Sequence, residues 1–295
     1  MKHIFILNQT AGEKHSREKL EQELKEINVD YEIVCTQYHE HAKVIVKEYL
    51  EKYSNEKLRF YACGGDGTVN EVSSCLANVE NAEFAVIPYG TGNDFVKYFG
   101  GKEKFSNVEK IVNGNVMPID IMKIGDNYSI NICNFGFEAV VGRIANEVKL
   151  KGGKDPYGTG IKKAIFSGMS NPITVEVDGK VINGKSKMLL CTLGNGKYVG
   201  GKYKCAPRSV IDDGLIEVCL IDTITIFQFL ALISKYEKGE HLELNKKYVH
   251  YVRGKNVTIS SKKRFELCLD GEIIMGTKFN VEILHKAINF VVPKD

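Results

Sequence analysis

The first third of the chain leaves a narrow choice of folds, because apolar strands alternate there with stretches of helical spacing. The run HIFIL (His3–Leu7) precedes a stretch that puts Leu20, Leu24 and Ile27 on one helical face. VDYEIVC is followed by Ala42, Ile45, Tyr49 and Tyr53 at the same spacing, and RFYAC by Val69, Val72, Leu76 and Val79, before the strand FAVIP. Strands joined by helical crossovers predict a parallel sheet with helices on both faces. Ligands of such sheets bind outside the carboxyl ends of the strands. Two glycine-rich corners fall at those ends, GGDGT after the third strand and GTGND after the fourth.

From about Gly125 the rhythm changes. NYSINIC, ITVEVDGKVI, KMLLCTLGNG, GLIEVCLI, VHYVRGKNVTIS, FELCLDGEII and KFNVEIL read as short strands separated by turns, with Asp178-Gly179 as a hairpin turn. Helical stretches interrupt near Lys162 to Met169 and Ile226 to Glu237. This half predicts an antiparallel sandwich. At 295 residues the chain is long for one core. Two domains are therefore expected: an α/β domain over residues 1–124 and a β-rich domain over 125–285. No Pro/Ser linker separates them, so close packing around a cleft is expected.

Composition adds mainly exclusions. The chain is 43% hydrophobic and 26% charged, with a formal charge of +3, which is too small to argue for nucleic acid. Lysines do bunch at Lys149, Lys151, Lys154, Lys162 and Lys163. Such a run is usually a solvated face, with an anionic membrane or nucleotide as the minority reading. The eight cysteines show no C-x-x-C spacing and sit mostly in apolar runs, as core residues in a reducing compartment do. The longest apolar segment, ITIFQFLALI, falls short of the ~20 residues of a membrane span. A cytoplasmic protein is expected.

Four stretches carry chemistry: NQTAGEK (Asn8–Lys14), GGDGTVNE (Gly64–Glu71), PYGTGND (Pro88–Asp94) and LDGE (Leu269–Glu272). Gly64, Gly65 and Gly67 suit positive φ and close approach of a ligand to the backbone. The N–H groups opening the next helix suit phosphate oxygens. A helix dipole contributes ~0.3–1 kcal/mol when exposed and ~2 when partly buried, too little to hold a triphosphate. A divalent cation would supply the remainder, and Asp66 would face Mg²⁺ or its waters. Taken singly, each motif has a plainer use. Asp66 could cap its own helix, Asn93 or Asp94 could cap the next, and LDGE could be a hairpin like VDGK at Val177–Lys180.

Taken together, GGDGT followed by P-x-GTGND resembles the diacylglycerol kinase catalytic domain, in particular the soluble bacterial lipid kinases, which also resemble sphingosine kinases and, more distantly, NAD kinases and phosphofructokinases. The resemblance spans essentially the whole chain. It implies an ATP-binding α/β domain, a β-sandwich lipid domain, and a chain end (residues 286–295) that returns to the first domain. It implies ATP contacts from Asn8, Thr10, Gly12, Thr36, Gly64, Gly65, Asp66, Gly67, Thr68 and Thr91. Asp66, Asp94 and Asp120 would form the acidic network orienting Mg²⁺ and its waters. Glu272 would be the general base, with Asp270 beside it. A second, structural Mg²⁺ would be held by Asp213 and the carbonyls of Val210 and Leu215, although DDG could equally be a plain turn.

One departure is Gln9, where the family usually has proline, which loosens the first loop more than it alters chemistry. The expected activity is ATP- and Mg²⁺-dependent phosphorylation of a lipid hydroxyl, with diacylglycerol giving phosphatidic acid. A lipid acceptor implies a peripheral, transient contact with the inner membrane surface. IFQFLALI and the lysine run could supply it, although burial in the sandwich is the preferred use of that helix. Bacterial members of the family often form homodimers, so a second copy stays among the partners. The rivals are an NAD kinase, which shares GGDGT, and a nucleotide-binding regulatory protein without catalysis.

Overall fold

The structure, a computed structural model, describes residues 1–9, 16–166, 169–184, 186–244 and 248–294, with the side chains of residues 149 and 244 also outside the description. The chain divides into two units, Met1–Ile121 with Leu284–Asp295, and Met122–Ile283.

In the first unit the order is β1 (Lys2–Leu7), α1 (Ser16–Leu24), β2 (Tyr31–Cys35), α2 (His41–Lys52), β3 (Leu58–Gly64), α3 (Asp66–Ser74), β4 (Ala82–Pro88), a 3-10 turn (Phe95–Phe99), α4 (Val108–Val112) and β5 (Asn115–Ile124). β1 pairs in parallel with β2 on one side and β3 on the other, and β3 pairs in parallel with β4. All seven residues of β3 are buried, as expected of an apolar strand covered on both faces. The chain end returns to this unit: Phe290 pairs with Phe84 and packs against Phe95, Phe99 and Phe105, with ring centroids 4.8–6.2 Å apart.

The second unit holds β6 (Asn127–Ser129), β7 (Ile132–Gly136), α5 (Phe137–Leu150), α6 (Pro156–Ala164), β8 (Thr174–Val177), β9 (Lys180–Val181), β10 (Met188–Gly194), β11 (Ile216–Asp222), α7 (Ile226–Lys238), α8 (His241–Leu244), β12 (Val249–Gly254), β13 (Asn256–Leu269) and most of β14 (Glu272–Val292). Its strands pair antiparallel: β12 with β11, β11 with β10, β10 with β7, β7 with β13, and β13 with β14. The far end of β13 pairs instead with β8, whose hairpin to β9 turns at Asp178 and Gly179, both at positive φ. One apolar cluster, with Phe135, Leu193, Val218 and Leu267, lies within the strands. A second, with Phe137, Leu190, Phe229 and Leu232, packs helices onto them.

Some elements differ from the sequence reading. FELCLDGEII is a hairpin with Asp270-Gly271 at its tip, and KFNVEIL and INFVVP belong to one long β14. The expected helix near Lys162 starts earlier, at Pro156, capped by Asp155, whose side chain accepts the Gly158 N–H; residues 167 and 168 of that stretch lie outside the described residues. Helix α5 was missed, although Phe137, Val141, Ile144 and Ala145 are buried at helical spacing. Helix α7 buries Phe229, Leu232 and Tyr236, as preferred, and it also exposes Ile226, Phe227 and Leu230.

Candidate active site

In the first unit β1 lies between β2 and β3, so the chain leaves β1 to one side and later returns on the other. The carboxyl ends of β1 and β3 therefore flank a topological switch point, where such sheets open a crevice. Asn8 follows β1 there and donates through Nδ2 to Thr68 Oγ1 at 3.2 Å, while Thr36 follows β2 and donates its N–H to Leu7 O at 2.9 Å. Thr10 and Gly12 lie outside the described residues.

Gly64 and Pro88 stand opposite each other at the ends of β3 and β4, which brings the two glycine corners together. Gly64 O accepts from Gly90 N at 3.0 Å and from Asn93 Nδ2 at 2.9 Å. Asp66 is the first residue of α3, and its carboxylate reaches across to the other corner. Oδ2 accepts Asn93 N–H at 2.8 Å and Oδ1 accepts Asp94 N–H at 2.7 Å. Asp66 thus fastens GGDGT to GTGND, and no side chain caps α3 itself. Asn93 takes the left-handed φ of 51° that presents its N–H to Asp66, a conformation asparagine tolerates well.

The glycines act differently from expectation. Gly64, Gly65 and Gly67 are absent from the positive-φ residues, and Gly65 is extended with φ −94°. What glycine supplies is proximity: a Cβ on Gly90 would collide with Gly65 Cα, and one on Gly92 would come within 2.7 Å of Asp66 Oδ2. Gly67, in contrast, has nothing among the described residues within 4 Å of its added Cβ, so that position of α3 faces open space there.

Other groups complete this corner. Lys102 Nζ donates to the carbonyls of Gly90 and Thr91, and Lys97 Nζ lies 2.6 Å from Asp94 Oδ1. Neither lysine was singled out from sequence; both follow GTGND within a short stretch, which is the only signal they left. Glu71 accepts the N–H groups of Glu40 and Ala42, which ties α3 to the start of α2. Among the described residues, the buried Asn93 Oδ1 and Tyr89 OH have no hydrogen-bond partner, and burial pushes the Tyr89 phenol well above its usual range. Asp120 on β5 is fully buried and accepts from His285 Nδ1 at 2.9 Å and Lys286 N at 2.6 Å.

In the second unit Glu272 opens β14 opposite Leu269, half-buried. Asp270 at the hairpin tip has φ 51° and accepts Ile130 N–H at 2.8 Å, Asn131 N–H at 3.2 Å and Ile132 N–H at 2.8 Å.

Two cation readings meet these geometries differently. Mg²⁺ prefers oxygen ligands and commonly keeps waters and substrate phosphates with only one or two carboxylates. Among the described residues no three His, Cys, Asp or Glu side chains converge to hold a metal. Asp66 and Asp94, beside an unpartnered Asn93 oxygen, fit instead a cation that arrives with phosphates and water. The DDG loop fits poorly. Asp213 Oδ1 accepts Leu215 N–H at 3.0 Å, Oδ2 is paired with Arg253, and Gly214 turns at φ 72°. Arg253 Nε also lies 2.6 Å from the buried Glu217. With one oxygen of Asp213 on Leu215 N–H and the other on a guanidinium already neutralising its charge, the geometry favours the plain turn over a cation held by Asp213, Val210 and Leu215.

Comparison with known proteins agrees along the chain. Residues 2–124 match the family described as Diacylglycerol kinase catalytic domain, and residues 131–292 match the YegS C-terminal NAD kinase beta sandwich-like domain. A diacylglycerol kinase of Bacillus subtilis is 28% identical, covering 99% of this chain and 96% of the relative. A probable lipid kinase YegS-like protein of Shewanella frigidimarina is 32% identical, covering 78% of this chain and 75% of the relative. A crystal structure from Bacillus anthracis str. Sterne has the same fold, with a TM-score of 0.75 at 24% identity, covering 99% of this chain and 96% of that one.

Proposed function

Because the chain belongs to the family of diacylglycerol kinases and YegS-type lipid kinases, we propose that it transfers the γ-phosphoryl group of ATP to a lipid hydroxyl, with diacylglycerol as the acceptor and phosphatidic acid as the product. The observation that carries this reading is the Asp66 fastening, which holds two glycine corners together beside an uncapped helix start at the switch point. Such a corner receives phosphates on backbone N–H groups.

Catalysis of phosphoryl transfer is mostly positioning and charge neutralisation. Mg²⁺ bound with ATP would neutralise phosphate charge near Asp66 and Asp94. The open space at Gly67 admits a phosphate chain to the N–H groups of α3. Asn8, Thr36, Thr68 and Thr91 supply polar contacts around it. Glu272 takes the proton of the acceptor hydroxyl as that oxygen bonds to the γ-phosphorus. The bond from the γ-phosphorus to the bridging oxygen breaks, and ADP leaves with the electron pair.

A lipid acceptor also calls for contact with a bilayer. Among the described residues no helix is long and apolar enough to cross a membrane. Helix α7 does present Phe227 at 85% and Leu230 at 56% exposure, and Phe166 is 91% exposed beside exposed Lys162 and Lys163. Apolar and basic contributions together are what peripheral binding requires.

The test is transfer of label from radiolabelled ATP to mixed micelles presenting a panel of hydroxyl lipids, with NAD as a further acceptor. Wild type is run beside Glu272→Ala and Asp66→Ala. Label in one lipid, lost in both variants, supports the proposal. Label in NAD alone, or none with ATP still bound, overturns it.

A further inference from the structure

The LDGE turn holds two acids, and the structure separates their work. Asp270 sits at the tip of the β13–β14 hairpin in a left-handed conformation, φ 51°. Its side chain folds back against the start of β7. There it accepts three consecutive backbone N–H groups, from Ile130, Asn131 and Ile132, and its own N–H donates to Ile132 O at 3.0 Å. On the other side of the turn, Asn146 Nδ2 of α5 donates to Gly271 O at 3.3 Å. The segment that receives Asp270 is itself fixed, because Asn195 Nδ2 donates to Ile130 O at 2.7 Å and Asn131 Nδ2 to Tyr198 O at 3.0 Å.

We infer that Asp270 is a positioning residue whose carboxylate, seated on three backbone N–H groups, fixes the hairpin tip and so aims Glu272 at the acceptor hydroxyl. The inference rests on Glu272 being the base. Both oxygens of Asp270 are turned back onto the backbone of residues 130–132, which suits a brace and not a proton acceptor for substrate. A hairpin tip otherwise sways, and a displacement of about 1 Å at a reacting group can cost about 100-fold in rate. Asp270 therefore supplies rigidity, and Glu272, with its neighbour locked, supplies the chemistry.

Asp270→Asn tests this cleanly. Asparagine tolerates the left-handed conformation, so the turn is kept, while an NH₂ group now faces backbone donors. The expected result is kcat lower by about 100-fold across the pH range, KM for ATP within about twofold, and faster amide exchange at residues 130–132. Asn146→Ala, at an exposed site, should lower kcat by about threefold and guards against a misfolded first variant. Faster exchange with unchanged kcat would overturn the inference. So would a loss confined to KM for the acceptor with kcat kept, which would mean that the hairpin tip binds the acceptor and does not aim Glu272. Glu272→Gln is measured alongside: if that variant stays active, the base assignment fails, and the role of Asp270 in aiming it fails with it, whatever the exchange data show.

Discussion

Asp66 in the first unit and Asp270 in the second do the same physical work, since each carboxylate accepts consecutive backbone N–H groups of another segment. They differ in what they leave open. Asp66 stands in the first turn of a helix, spends its oxygens on the opposite corner, and leaves α3 without a side-chain cap. Asp270 stands in the turn itself and leaves Glu272, two residues on and half-buried, to open β14 from a fixed tip. One fastening preserves backbone donors for an anion; the other aims a carboxylate. An acid at a glycine corner thus gains its role from the segment it reaches, and the D-G dipeptide they share leaves that segment unspecified.

Breaking the first fastening should have the largest effect. Asp66→Ala is expected to lower kcat/KM by about 10³-fold or more, since it frees both corners and removes a carboxylate from the phosphate site. Two backbone N–H groups lose their acceptor as well, at a cost of about 2–4 kcal/mol in unfolding free energy. Phosphotransfer assays and urea titrations of the same preparation measure both. A variant that loses stability but keeps its rate would show that Asp66 is a fastener alone.

The glycines sharpen the comparison at the next level down. Gly90→Ala would drive a Cβ into Gly65 Cα and should destabilise by about 1–3 kcal/mol. Gly67→Ala meets nothing within 4 Å among the described residues and lies in a helical turn, so stability should hold or rise by up to ~1 kcal/mol. ATP affinity should nevertheless fall, because the methyl group would occupy the space that a phosphate needs. Equal losses of stability in the two variants would contradict this division of labour.

Much of this was legible before the structure. The alternation of HIFIL, VDYEIVC, RFYAC and FAVIP with helical stretches fixed a parallel sheet, because apolar spacing is a local property. Helix α5 was legible too and was overlooked, since Phe137, Val141, Ile144 and Ala145 carry its period. The fastenings were not legible. Asp66 reaches the N–H groups of Asn93 and Asp94, and every residue except proline offers such a donor, so the partners leave no mark in composition. The pairing of Asp213 with Arg253 was hidden for a related reason: forty residues separate them, and β11–β12 register alone brings Glu217 opposite Arg253. Positive φ was expected at the GGDG glycines, but the constraint there is crowding between two loops, which appears only once β3 and β4 are paired.

Among the described residues each unit also buries one neutral histidine, which gives the comparison a handle on stability. His3 is 4% exposed against Tyr61, and burial, with Arg59 adding to it, pushes its pKa down to about 4. His241 is fully buried, and burial lowers it likewise to about 4. Between the unfolded value of 6.5 and about 4 the unfolded chain binds more protons, so stability is full above 6.5 and declines as pH falls. At pH 5 the loss should be about 2 kcal/mol per histidine. His3→Gln and His241→Gln, followed by denaturant titration at pH 7 and pH 5, should each remove one share. A variant that keeps the full loss at pH 5 would mean that its histidine is not the group whose protonation destabilises the fold.

The smallest effect is expected at the third carboxylate, Asp213, whose oxygens are taken by Leu215 N–H and the Arg253 guanidinium. A cation site there would stabilise the fold by about 2.7 kcal/mol at a hundredfold excess over its dissociation constant, raising the melting temperature by roughly 5–10 °C. With the guanidinium in place, Mg²⁺ against EDTA in the absence of nucleotide should shift it by less than about 1 °C. Arg253→Met sharpens the test in the opposite sense. It strands the buried Glu217 and should be less stable by about 3–5 kcal/mol. It also returns an oxygen of Asp213 to solvent, so melting should become sensitive to Mg²⁺. A wild-type protein that already melts later in Mg²⁺ would mean that Arg253 yields to the metal, and that the DDG turn is a cation site after all.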